Sequence, residues 1–187
     1  MSELIDMAFQ EGKDAMQNAM DHLRSELTKV RTGKASVSLV NDIMVEYYGN
    51  PTPLSQVANL STPDSKTISV QPWEKSMLSV IEQGIFAANI GITPMNDGEF
   101  IRISIPPMTE ERRKEMVKKA KSLGEDAKVS LRNERQKLMQ TIKTEVKEGF
   151  PEDAGKKKEG EVEGVIKGFV EMIGKLIDAK EVDIMKV

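Results

Sequence analysis

Four cations, Lys121, Lys128, Arg132 and Arg135, follow one another at spacings of seven, four and three residues, so on a helix they line one face. Such a row can meet successive phosphates of a folded nucleic acid, with arginine able to hold a phosphate bidentately. The same row also fits an ordinary solvated helix face, and Glu125 and Glu134 dilute its field. Spacing alone leaves both readings open. Catalytic chemistry finds less support. His22 is the sole histidine, so no H-x-x-x-H ligand pair exists, and the absence of Cys removes thiolate metal sites and nucleophiles. Gly12-Lys13 and Gly33-Lys34 lack the earlier glycine and the following Ser or Thr of a phosphate loop, and no G-x-G-x-x-G occurs. Carboxylates interleave with Lys and Arg as solvated pairs do, and Asp97 within Asn96-Asp97-Gly98 is a turn residue. The expectation is a protein without an active site, a metal or a cofactor.

The charge balance sharpens this. The 187-residue chain carries a net charge of −3, which argues against a uniformly basic nucleic-acid binder. Yet Arg112, Arg113, Arg132 and Arg135 are four of its seven arginines, and Thr109 to Glu148 holds 12 basic against 8 acidic residues. A basic element on an acidic protein is a selective device. With 30% charged and 4% aromatic residues, aliphatic helix cores are favoured over an aromatic sandwich. Met1 to Gln10 has no basic start followed by an apolar run, and no stretch of uncharged apolar residues could span a bilayer. These features point to a soluble cytoplasmic protein.

Three helices must position the cations. Phe9, Met16, Met20, Leu23, Leu27 and Val30 recur at sevens, fours and threes and predict a first helix that Gly33 ends. After Pro106-Pro107 the helical period returns, with Thr109 as cap and Glu110 and Glu111 in the first turn. It runs to Gly149-Phe150-Pro151, with Gly124 as a soft spot and Ala120, Ala127, Leu131, Leu138 and Ile142 facing the core. A third helix is predicted from about Gly160 to Met185, with Val162, Ile166, Phe169, Ile173 and Leu176 as its seam. Between the first two helices lies a small α/β unit. Strands are expected at Ile43–Tyr48, Thr67–Gln71 and Phe100–Ile105, turns at Gly49-Asn50-Pro51 and Asn96-Asp97-Gly98, and one helix at Glu74–Asn89 seamed by Met77, Leu78, Ile81, Ile85 and Phe86. The fold class is α+β: a long three-helix bundle from residues 1–31 and 106–187, and an inserted small α/β domain, a β/α/β sandwich, at 32–105. The chain crosses between them twice, near Arg31–Ala35 and Ser104–Met108, and two adjacent crossings allow a hinge.

Short motifs give this plan a family. Val30-Arg31-Thr32-Gly33-Lys34-Ala35-Ser36 resembles the V-R-T-G-R-A-S segment of bacterial ribosome recycling factors. Val45-Glu46-Tyr47-Tyr48-Gly49 with Thr52-Pro53-Leu54, and Gln71-Pro72-Trp73-Glu74-Lys75, are similar to the family's first strand and its P-W-D-K element. Asn96-Asp97-Gly98, Ile101-Arg102 and Ile105-Pro106-Pro107-Met108-Thr109-Glu110-Glu111-Arg112-Arg113-Lys114 match its last strand and the opening of its long helix. The pieces occur in order over nearly the whole chain.

The resemblance implies an L-shaped, monomeric molecule of transfer-RNA outline that binds the large ribosomal subunit after termination. Elongation factor G, hydrolysing GTP, then drives the α/β domain about the hinge and the subunits separate, releasing mRNA and tRNA. Carried over by motif, Arg132 and Arg135 fall at the family's rRNA-contacting arginines, and Arg31, Arg112 and Arg113 at other basic positions. Arg31 could equally tie the hinge together. Lys121 and Lys128 extend the same face. Thr32, Gly33 and Lys34 match one hinge strand and Ile105, Pro106 and Pro107 the other. The chain departs at Lys34 and Gln136, where the family often has Arg, which implies weaker or more salt-sensitive RNA binding. A protein-interaction adaptor using the bundle to bind protein is the alternative.

Overall fold

The computed structural model describes residues 3–186. In chain order its elements are α1 (Glu3–Thr28), β1 (Met44–Tyr47), β2 (Asn50–Pro53), the single turn α2 (Leu54–Val57), β3 (Ala58–Asp64), β4 (Thr67–Pro72), α3 (Leu78–Ala88), β5 (Thr93–Asn96), β6 (Ile101–Ser104), α4 (Glu110–Lys147) and α5 (Glu152–Met185). The chain divides into two compact units: the described part of Met1–Val30 with Lys114–Lys186, and Arg31–Arg113.

In the first unit α1, α4 and α5 bury the stripes that their apolar spacing predicts, since none can hide its seam alone. On α1, Met16, Met20, Leu23 and Leu27 are buried, joined by Ile5 and Gly12. Phe9, expected in that seam, is only partly buried and lies beneath the Lys13 ammonium at 4.7 Å. On α4, Ala120, Ala127, Leu131, Leu138 and Ile142 are all buried. Its 38 residues make a rod of about 57 Å at the usual rise. The ends are fixed locally. Thr109 Oγ1 accepts the Arg112 N–H at 3.2 Å. At the other end Gly149 turns left-handed (φ +112°), Phe150 N–H reaches Glu145 O at 2.9 Å and Gly149 N–H reaches Val146 O at 3.2 Å. That is the paired closure of a Schellman motif, and Pro151 follows it.

Glycine behaves differently from expectation here. A Cβ on Gly124 would stand 2.8 Å from Ile177 Cγ1, so this residue is a point of helix contact in an unbroken α4 rather than a soft spot. Gly12 approaches Leu138 and Gly155 approaches Val146 in the same way. Gly164 and Gly168, by contrast, face open space and permit no close packing. The third helix also begins at Glu152, upstream of the expected Gly160, and carries its seam through Ile177 and Ile184 while Phe169 and Leu176 are only partly buried.

The second unit holds two antiparallel sheets: the β1–β2 hairpin, and a four-stranded sheet in the order β3-β4-β6-β5. The central strands alternate cleanly, with Ile68 and Val70 on β4 and Ile101 and Ile103 on β6 buried. They meet Val40, Leu54, Ile81 and Ile85 in one core. Three strands, β2, β3 and β5, carry no clear alternation in the sequence. Each lies at a sheet edge and contains proline, which edges tolerate; the proline of central β4, Pro72, is its last residue and lies beyond the pairing with β6. The hairpin turn sits at Tyr48-Gly49, both at positive φ (46° and 79°), so Asn50 and Pro51 already belong to β2. Phe86, expected in the α3 seam, is 54% exposed because it stands one residue round the helix from buried Ile85.

Candidate nucleic-acid interface

On α4 the row Lys121, Lys128, Arg132, Arg135 flanks the buried stripe, as a helix places residues one position after core residues Ala120, Ala127 and Leu131. The row is not four open charges. Lys121 Nζ lies 3.4 Å from Glu181 of α5, and Lys128 Nζ lies 3.1 Å from Glu125 of its own helix. Arg135 donates its Nε to Glu163 Oε1 of α5 at 2.9 Å and its Nη2 to the same oxygen. Hydrogen bonding raises the guanidinium pKa above its ordinary value and holds the Glu163 carboxyl below the usual range. Arg132 is exposed and, among the described residues, is the one cation of the row without an intramolecular partner. It sits near the middle of α4 with its side chain exposed to solvent.

The other predicted contacts do not join this row. Arg112 is nine residues before Lys121, about half a turn round the helix, and its backbone N–H serves the Thr109 cap. Arg113 is seven residues before Ala120 and so follows the buried stripe; its Nε is buried without a hydrogen-bond partner. Arg31 lies in the second unit, where its Nη2 donates to the Ile90 carbonyl just beyond α3. Its guanidinium thus ties a loop.

The predicted hinge residues fall on two neighbouring segments of the second unit. Gly33 has φ +78°, a conformation that side chains avoid, and a Cβ there would lie 3.7 Å from Met108 Cε. Thr32 is partly buried, while Lys34, Pro106 and Pro107 are exposed. Ile105 is buried at 7% exposure, and its N–H reaches Lys66 O at 2.7 Å. Ala35 N–H reaches the adjacent Ser65 O at 2.8 Å, so one turn between β3 and β4 anchors both segments.

Sequence reasoning missed Glu163 and Glu181 entirely, because their pairing is made across helices and leaves no spacing signal. Glu125 was visible as an i−3 neighbour of Lys128. Among the described residues no group of three or more His, Cys, Asp or Glu could hold a metal ion, and no helix is long and apolar enough to cross a membrane.

Comparison with known proteins identifies the architecture. Residues 23–185 match the family model described as ribosome recycling factor. The chain is 47% identical to the ribosome-recycling factor of Christiangramia forsetii, over 98% of each protein. A solution structure of a ribosome recycling factor superposes with a TM-score of 0.82 at 34% identity, covering the whole of both chains. A second solved chain superposes with a TM-score of 0.67 at 34% identity, over 97% of this chain and 99% of its own. It comes from models of the T. thermophilus ribosome recycling factor and E. coli elongation factor G bound to the E. coli post-termination complex. The agreement spans both units, and the chain belongs to the ribosome recycling factor family.

Proposed function

We propose that this chain binds the large ribosomal subunit of post-termination complexes and, with elongation factor G and GTP, splits the ribosome and frees mRNA and tRNA. It is a translation factor and not an enzyme; the GTPase is the partner. Such a factor works in the cytoplasm as a monomer. The observation that carries the RNA-binding assignment is Arg132, exposed and without a partner among the described residues, on a rod of about 57 Å. Its planar donor fork suits a phosphate, and water is all that it must give up. Arg135, Lys128 and Lys121 extend the contact along the same face once RNA replaces their carboxylates. Arg112 and Arg113 lie off that face of α4 and, with Arg31 of the second unit, serve as secondary contacts.

In this reading residues 1–31 and 106–187 form the RNA-binding body and 32–105 the part that elongation factor G moves. Thr32, Gly33 and Lys34 form one hinge strand and Ile105, Pro106 and Pro107 the other. Gly33 supplies backbone freedom, the prolines supply stiffness, and buried Ile105 marks where the hinge meets a rigid core. The test is reconstitution. Post-termination complexes given this chain, elongation factor G and GTP should dissociate into subunits, and omission of any one component should stop this. Complexes that stay intact with all three present would overturn the assignment.

A further inference from the structure

Resting on the rRNA-binding reading above, we infer that Glu163 sets the affinity of the basic face by occupying Arg135 in the free protein and yielding it to an RNA phosphate on binding. The observation is the pattern of partners along α4. Arg132 is open, yet the cation one turn further on is held by a carboxylate that reaches over from α5. Arg135 spends both its Nε and its Nη2 on Glu163 Oε1, one of the two edges by which a guanidinium can grip a phosphate. Glu181 does the same for Lys121 more loosely, at 3.4 Å. Neither member of the Arg135–Glu163 pair is buried, with side chains 44% and 49% exposed, so the pair is weak enough for RNA to break. It is also in the way of the same atoms.

Two consequences separate this role from a structural one. First, exchange of a carboxylate for a phosphate changes affinity little, whereas a free Arg135 adds a new contact. Second, any gain from removing Glu163 must depend on Arg135, because Arg135 is the cation that this carboxylate holds. With Glu163 present, part of the Arg135 contact is offset by breaking the ion pair; without it, the whole contact counts toward RNA. A factor that must leave the ribosome every cycle gains from a contact that is made without being tight.

The experiment measures binding of the intact chain to purified large ribosomal subunits between about 0.05 and about 0.3 M salt. Glu163→Gln should bind about two- to five-fold tighter than the wild type. This tightening should vanish when Glu163→Gln is made on an Arg135→Ala background, since no arginine is left to release. Unchanged or weaker binding by Glu163→Gln would overturn the inference, and so would tightening that persists without Arg135, which is the mark of general charge reduction. Arg132→Ala in the same assay keeps the two levels apart. If it weakens binding while Glu163→Gln does not tighten it, only this inference falls; if it binds like the wild type, the rRNA face falls and this inference with it.

Discussion

Asp97 closes the β5–β6 hairpin through backbone bonds. Its Oδ1 accepts the Phe100 N–H at 2.7 Å and the Glu99 N–H at 3.0 Å. Those two bonds, with a further contribution from Arg102, hold its carboxyl below the ordinary value of 3.8. A carboxyl lowered on folding stabilises fully above its unfolded pKa, and that support is lost as pH falls through the depressed folded value. Asp64, which caps the β3–β4 turn by accepting the Lys66 N–H at 2.8 Å, is lowered in the same direction. Asp97→Asn should accordingly lower the melting temperature near neutral pH and flatten its fall below the ordinary carboxylate range. Melting curves of variant and wild type that run parallel in acid would contradict this. The role of Asp97 as a turn residue is legible from Asn96-Asp97-Gly98, because turn chemistry is local. The pairing of Arg135 with Glu163 is not, because it depends on how α5 is docked, and the sequence shows four equivalent cations where the fold leaves one open.

At the scale of elements, the apolar period defines α1 and α4 well, since their seams are long and regular. α5 is harder to read. Its first turns, Glu152 to Glu159, are almost wholly polar, so the seam that announces a helix starts only at Val162. Edge strands β2, β3 and β5 escape the period for the opposite reason: too little of each is buried to impose one. The glycines of α5 split into two kinds that sequence cannot distinguish. Gly155 is held against Val146, where a Cβ would lie 2.6 Å from a stiff branched side chain, while Gly164 and Gly168 meet nothing. Gly168→Ala should stabilise the protein by about 1 kcal/mol through helix propensity, and Gly155→Ala should destabilise it by about 1–3 kcal/mol through overpacking. Thermal or urea unfolding of the two variants checks both signs. Equal effects would mean that the open and closed glycines are not physically different. With its exposed glycines intact, α5 should show the fastest hydrogen exchange of the three long helices.

For the whole molecule, function is legible because many short motifs fall in one order along the chain. Gly33 and Pro106-Pro107 could also be picked out, since they interrupt helical and strand periods alike. Their shared anchor at Ser65-Lys66 could not, because nothing in that turn announces two distant partners. The account depends above all on one open arginine in the middle of a long rod. The measurement that bears on it most directly is the affinity of the folded Arg132→Ala chain for large ribosomal subunits at about 0.15 M salt. We predict a loss of about 1–3 kcal/mol relative to wild type, with the same melting temperature. Binding undiminished by the substitution would contradict the claim that this face of α4 is the RNA-binding surface.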